Sequence, residues 1–157
     1  MNNITIRKAV LKDLNALLDF EQGIINFERP FDITLDEDPI SYYDIKAMIT
    51  AVDVEVVVAV CNDEIVGSGY ARIETSKPYL KHNKFAYLGF MFVKPNYRGK
   101  GVIQLVIKTL KAWSNSKGID EIRLDVYSEN SGAIKAYEKA GFVPLLTNMR
   151  LHLNSDD

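Results

Sequence analysis

A single cysteine, Cys61, excludes an internal disulfide and any metal site built from several thiolates. The two histidines, His82 and His152, stand too far apart for a metal centre, read as surface residues, and leave no metal to expect. Nowhere do about 18 apolar residues run together, so no membrane-spanning helix is expected. The opening stretch MNNITIRKAV lacks the apolar core of a secretory signal. Nine glycines and five prolines are too few for a fibrous or linker-rich chain. These absences point to a cytoplasmic protein that needs neither cross-link nor metal to fold. Its 157 residues have the size of one domain, 1–157, that buries about 68–70% of its unfolded surface. Hydrophobic residues at 47% and charged residues at 25% supply an ordinary core and surface.

Net charge is only −2, yet the charges are sorted along the chain. Lys77, Lys81, Lys84, Lys94, Arg98, Lys100, Lys108, Lys111 and Lys117 occupy a stretch without a single acid. Glu28, Asp32, Asp36, Glu37, Asp38 and Asp44 face Arg29 alone in another. Such sorting suits a polyanionic ligand at the first and a cationic one at the second, or simply two solvated faces. Nucleic acid fits poorly, because core-type apolar residues interrupt the basic stretch.

The hydrophobic periods set the elements. Ile4 and Ile6 alternate with polar neighbours as a short strand. A helix follows from Leu11 through Leu14, Leu17 and Leu18, then a loop over Phe27–Pro39 and a weakly signalled helix around Ser41–Ile49. Val54–Val60 and Ile65–Ile73, split by Asn62-Asp63, form a hairpin. Phe85–Val93 is nearly continuously apolar, as in a strand covered on both faces. Val102–Trp113 is an amphipathic helix that ends before Gly118. Ile122, Leu124 and Val126 alternate as a strand, Ala133–Ala140 is a short helix stopped by Gly141, and Phe142–Leu153 again has strand composition. The aromatic run in 85–92 and Trp113 read as core, and Cys61 as a small packed residue. The order predicts an α/β (α+β) fold around one mixed sheet, mostly antiparallel at its start.

The sharpest local feature is the run Val93-Lys94-Pro95-Asn96-Tyr97-Arg98-Gly99-Lys100-Gly101-Val102. A buried strand enters a basic, glycine-bearing loop that opens straight onto a helix. Unpaired N–H groups of the first helical turn and the helix dipole attract an anion, and Gly99 and Gly101 let a phosphate approach the backbone. A tight structural connection would also use such glycines. The triphosphate-loop pattern G-x-x-x-x-G-K-[ST] is absent, and Gln104 stands where the dinucleotide fingerprint G-x-G-x-x-G needs glycine. A hairpin at 54–73 argues further against the parallel units of a dinucleotide fold.

Here the sequence resembles the GNAT (Gcn5-related) N-acetyltransferase family. Arg98-Gly99-Lys100-Gly101-Val102-Ile103 follows its [QR]-x-x-G-x-[GA] phosphate loop until the last position. Asn130-Ser131-Gly132-Ala133-Ile134-Lys135-Ala136-Tyr137-Glu138-Lys139-Ala140-Gly141-Phe142 is similar to its N-x-x-A-x-x-x-Y-x-x-x-G-F. The order of elements fits as well, over residues 3–153. The resemblance implies a central sheet of six to seven strands with about four helices, and acetyl-CoA as the acyl donor. It places the pyrophosphate on the amides of Arg98, Gly99, Lys100, Gly101, Val102 and Ile103. The pantetheine arm would lie along Met91, Phe92 and Val93, like an added strand. Asn130 would bind the pantetheine or the phosphate side, or serve only as a helix N-cap. Tyr137 would protonate the departing thiolate, or else pack in the core at i+4 from Ala133. With ordinary pKa values of about 8.5 for a thiol and about 10 for tyrosine, that step is uphill by only about 2 kcal/mol.

Two departures stand out. Ile103 replaces a small residue, so its side chain must turn away from the phosphates. The strand Tyr87–Val93 carries no carboxylate to act as base; Glu28, Glu74 and Asp125 are the alternatives. By resemblance the acidic loop with Asp32, Asp36 and Asp38 walls the acceptor site. The expected partner is therefore an amine acceptor, a small molecule or a peptide, in direct transfer within a ternary complex. Backbone N–H groups of the splayed central strand would polarise the thioester carbonyl. The rival reading, prompted by the missing base, is a CoA-binding sensor or interaction module without turnover. Family members are often homodimers, though the sequence identifies no interface.

Overall fold

The computed structural model describes residues 3–154. Five strands, β1 (Ile4–Lys8), β2 (Val54–Cys61), β3 (Glu64–Thr75), β4 (Lys84–Val93) and β5 (Ile122–Arg123), form one sheet in chain order. The first three junctions are antiparallel and β4–β5 is parallel. Four α-helices accompany them: α1 (Leu14–Glu28), α2 (Ile45–Thr50), α3 (Val102–Ser116) and α4 (Ser131–Lys139). Among the described residues no helix is long and apolar enough to cross a membrane.

Strand β2 shows why the sheet reads as apolar on both faces. Val56 and Val58 point to one side, where Leu17 and Phe20 of α1 and Ile45 and Ile49 of α2 cover them. Val57 and Ala59 point to the other, against Val102, Val106 and Leu110 of α3. Burial on both faces removes the polar alternation from β2 and from Ala86–Val93 of β4.

The sheet is irregular where it matters. Tyr70 pairs with Gly89, but Ser68 pairs with Phe92, so Gly69 opposes both Phe90 and Met91. Phe90 takes φ 58°, and the buried Ser68 hydroxyl donates to its carbonyl at 2.9 Å. This is a β-bulge, which bends the strand and re-aims its side chains. On the opposite edge β4 pairs with β5 only at Ala86↔Ile122 and Tyr87↔Arg123. Beyond those two pairs the strands diverge and leave a gap beside residues 88–93.

Several sequence expectations need correcting. Five strands are observed among the described residues, not six to seven. The strand around Ile122–Val126 is paired only at its first two residues, and residues 142–154 carry none. Helix α1 runs on to Glu28 and a 3-10 turn at Arg29–Phe31 follows, shortening the expected loop. Helix α2 starts at Ile45 rather than Ser41, because the Asp44 carboxylate caps it by accepting the Ala47 N–H at 3.2 Å. His82 is not a loose surface residue: Nδ1 lies 2.6 Å from the Ser76 hydroxyl and Nε2 lies 3.8 Å from Glu121. The basic stretch is one segment in sequence but not one patch in space. Strand β4, ten residues and about 30 Å long, separates Lys77, Lys81 and Lys84 from Arg98 and Lys100.

Candidate active site

The loop after β4 is built to leave amides unpaired. A 3-10 turn at Pro95–Tyr97 reverses the chain, and the Arg98 N–H donates back to Pro95 at 3.3 Å. Gly99 and Gly101 then adopt φ of 75° and 81°, a region that costs other residues about 1–2 kcal/mol. A Cβ built on either would meet nothing within 4 Å, so the loop's outer side is open. The N–H groups of residues 99–104 have no acceptor among the described residues, whereas Leu105 closes the first helical bond to Gly101 at 3.2 Å. The Arg98 amide, expected in this cradle, is already engaged.

Side chains around the loop hold its shape. Arg98 is not a mobile charge: Nε donates to the Val93 carbonyl at 3.0 Å, and its guanidinium lies 5.9 Å and 6.0 Å from the rings of Phe27 and Phe92. The Lys100 ammonium sits 5.4 Å from the Tyr97 ring. Val102 is buried, and Ile103 packs partly buried against the α3-side core, which turns its branched side chain inward. Gln104 donates to the Ala136 carbonyl at 3.0 Å and ties α3 to α4.

The gap between β4 and β5 exposes a second set of backbone groups. Lys94 donates to Val66 of β3 at 2.8 Å, so by strand alternation the peptide groups of Val93 and Met91 face the gap. With the Val93 carbonyl taken by Arg98, the Val93 N–H and the Met91 peptide groups form an unpaired edge able to accept an extended ligand as an added strand. Phe92 stacks on Phe20, with centroids 4.6 Å apart, and thereby fixes the wall. Across the gap, the Asn130 carbonyl oxygen caps α4 by accepting the Ala133 N–H at 3.3 Å, and its NH₂ group stays available.

A cluster of carboxylates and tyrosines closes the far side. Tyr137 of α4 is partly buried, packs edge-on to Phe142 at 6.0 Å, and has its pKa pushed up to about 12, by burial first and then by the Glu28 carboxylate. Burial also raises Glu28 above the usual glutamate value; the Tyr42 hydroxyl pulls it down and Asp32 pushes it up. Among the described side chains, the Tyr42 hydroxyl is buried without a well-aligned hydrogen bond; burial and Glu28 raise its pKa. Tyr127 donates to Asp32 at 2.8 Å, and its own pKa is pushed up to about 12 by burial and that bond. Asp32 also accepts the Thr34 hydroxyl and the Thr34 N–H at 2.9 Å; with Tyr127, these bonds hold it below the usual carboxylate range.

One buried acid sets this wall in place. Glu21, 1% exposed on α1, accepts the backbone N–H groups of Tyr42 and Tyr43, each at 2.8 Å. Tyr43 then packs against Tyr70 and Phe90, carrying the wall onto the bulge.

Of the acids named from sequence, Glu28 and Asp32 reach the cluster. Asp38 is held by Arg29 at 2.6 Å, and Asp36 is exposed. Glu74 pairs with Arg72, and Asp125 accepts from Tyr87 at 3.1 Å. Sequence reasoning missed Glu21, Tyr42, Tyr43 and Tyr127. Their usable signal was a pair of tyrosines inside an otherwise acidic loop.

Comparison with known proteins identifies the family. The Acetyltransferase (GNAT) family profile matches residues 22–142, and the chain belongs to that family. N-alpha-acetyltransferase 30 of Saccharomyces cerevisiae is 32% identical over 71 residues, 45% of this chain and 40% of the yeast protein. The uncharacterized N-acetyltransferase YobR of Bacillus subtilis is 36% identical over 58 residues, 37% of this chain and 24% of that protein. The matched stretch thus spans less than half of either curated relative. A tetramutant of the BH1408 protein from Bacillus halodurans has the same fold, with TM-score 0.84 at 22% identity over 95% of this chain and 99% of that one. Aminoglycoside N-acetyltransferase AAC(6')-Iy, solved with the bisubstrate analogue CoA-S-monomethyl-acetylneamine, gives TM-score 0.72 at 19% identity over 97% and 99%. At these identities the likeness is one of fold.

Proposed function

We propose that the chain, as one domain over 1–157 in the cytoplasm, transfers an acetyl group from acetyl-CoA directly to a primary amine of a small molecule or peptide. The observation that carries this reading is the unpaired amide run 99–103 at the mouth of the β4–β5 gap, with Tyr137 and Glu28 on its far side. AAC(6')-Iy, on the same fold, is solved with CoA and with a bisubstrate analogue, which supports CoA as the donor's carrier.

When bound, acetyl-CoA supplies a thioester carbonyl and, after transfer, a thiolate leaving group. In our reading the amides of Gly99, Lys100, Gly101, Val102 and Ile103 hold the pyrophosphate, with Arg98 bracing the loop rather than touching it. The peptide groups of Met91 and Val93, with Phe92 between them, hold the pantetheine arm, and Asn130 binds from the opposite wall. In the same reading a β4 amide at the bulge polarises the carbonyl. Glu28 is our base: burial raises its pKa and with it its basicity toward the attacking amine's proton, and Asp32 adds negative charge that attracts a cationic acceptor. Tyr137, at about 12, stays protonated and donates to the thiolate. Against an ordinary thiol of about 8.5 that transfer is uphill by about 5 kcal/mol. Desolvation raises the thiol in the same pocket and narrows the difference. The sensor reading rested on a missing base, the role we give to Glu28.

Free-thiol release from acetyl-CoA, measured against a panel of primary amines, tests the proposal. Tyr137→Phe should lower kcat by about 10²–10⁴-fold while CoA affinity holds. Thermal stabilisation by CoA without turnover on any amine would return the sensor reading.

A further inference from the structure

The lysines that the phosphate loop leaves unused gather at the other end of the sheet. A cavity of about 410 Å³ opens there between the β3–β4 turn and the link from α3 to β5. Lys81, His82 and Lys84 line one side, and Lys117 and Asp120 line the other. Three ammonium groups thus stand against one carboxylate, and among the described residues none of the four is in a salt bridge. The end of α3 adds little negative charge of its own. Its Trp113, Ser114 and Asn115 carbonyls are taken by the N–H groups of Lys117, Gly118 and Ile119 at 3.0–3.2 Å. The cavity wall is braced from behind. Arg123 Nη2 lies 3.4 Å from His82 Nε2 and can only donate, so the neutral ring keeps its proton on Nδ1 and gives it to the buried Ser76 hydroxyl at 2.6 Å. Ser76 is therefore an acceptor for the ring and not a nucleophile activated by it. Arg123 also bonds Glu121 at 3.0 Å, so those two charges offset each other.

We propose that this cavity is a second anion site, which takes a compact phosphorylated ligand carrying two or more negative charges. Three lysines and one aspartate leave an excess of two positive charges on its rim. Lysine suits phosphate as a mobile point charge, without the planar fork that a carboxylate would select. The volume lies within the range of about 300–1,000 Å³ typical of small-molecule sites, which fits a short phosphate chain or a nucleotide. The site is separate from the loop at 99–103, because the 15 residues of α3 put about 22 Å between its two ends. Lys81 and Lys84 come from the β3–β4 turn and Lys117 from the end of α3, so a bound anion bridges two elements at the root of β5. The site stands whether or not the chain transfers acetyl groups.

Amide-resolved NMR titration of the full chain with inorganic tripolyphosphate, and separately with magnesium-free ATP, tests this at about 0.15 M salt. The expected result is a saturable shift of the amides at 81–84 and 117–120, read apart from any response at 99–103. Lys81→Ala, Lys84→Ala and Lys117→Ala combined should weaken that binding by about tenfold or more, with the melting temperature and any response at 99–103 unchanged. Asp120→Asn removes the one opposing carboxylate and should tighten binding by about two- to fivefold. Tighter binding of ATP than of tripolyphosphate assigns the site to a nucleotide, and equal binding assigns it to the phosphate chain alone; both support the site. Shifts confined to 99–103, shifts at the cavity that do not saturate, and saturable shifts that survive the triple variant each overturn it. So does an Asp120→Asn protein that binds no more tightly than wild type.

Discussion

Replacing Glu21 tests whether one buried carboxylate holds the wall that we propose lines the acceptor site. Its Oε2 takes the N–H groups of Tyr42 and Tyr43 at 2.8 Å each, and no side-chain cation pairs with it among the described residues. In Glu21→Ala both amides lose their acceptor. An orphaned buried donor costs about 1–3 kcal/mol, so the pair sets a range of about 2–6 kcal/mol. Relief of the carboxylate's own burial and entry of water into the new space pull the value toward the lower half. At about 2–4 °C per kcal/mol for a chain of this size, about 3 kcal/mol lowers Tm by about 6–12 °C. Glu21→Gln keeps an acceptor oxygen in the same place but gives up the charge, and it should recover about half of the loss. Differential scanning fluorimetry reads the stability. Steady-state kinetics with the best amine should show a raised acceptor KM and an acetyl-CoA KM little changed, because the loop at 99–103 lies on another element. A Glu21→Ala protein that melts within about 2 °C of wild type with unaltered acceptor KM would refute the assignment.

Three further outcomes are expected. Asp13 is held below its ordinary carboxyl pKa, chiefly by the Arg7 guanidinium at 2.8 and 3.0 Å, with help from the Val10 N–H. Its stabilisation is therefore full above the unfolded pKa and is lost as pH falls below about 4 through the folded value; urea midpoints from pH 5 to 2 should fall less steeply in Asp13→Asn. Glu28, raised mainly by burial, should give kcat/KM an acidic limb whose midpoint exceeds the 4.5 of a free glutamate, and Glu28→Gln should lose that limb along with most of the rate. Gly101→Ala forces a Cβ into φ 81°, so it should cost about 1–2 kcal/mol by thermal melt and raise the KM for acetyl-CoA, not for the amine.

The parts of the fold legible in the sequence were those set by neighbours along the chain. The run at 85–93 announced a strand covered on both faces, and β4 is one, because α1 and α3 pack against opposite sides. Gly99 and Gly101 announced a loop with special backbone angles, and both take positive φ. The cluster of carboxylates and tyrosines was hidden because long-range contacts build it. Asp32 meets Tyr127 across 95 positions, and Glu21 reaches Tyr42 across 21. No local period encodes such meetings. The apolar pattern at 142–153 announced a strand that the described residues do not form, since composition alone supplies no edge to bond it.

The two-residue junction between β4 and β5 gives the cleft walls unequal stiffness. The β4 wall is stitched to β3 along most of its length and clamped between helices, while the β5 wall is held by Ala86↔Ile122, Tyr87↔Arg123, the Gln104–Ala136 bond and the side-chain bonds Tyr87–Asp125 and Tyr127–Asp32. Widening the cleft thus breaks few bonds and disturbs none of the first four strands. In bonding terms β1–β4 are an anvil, and the segment that carries Asn130 and Tyr137 is a more lightly held jaw.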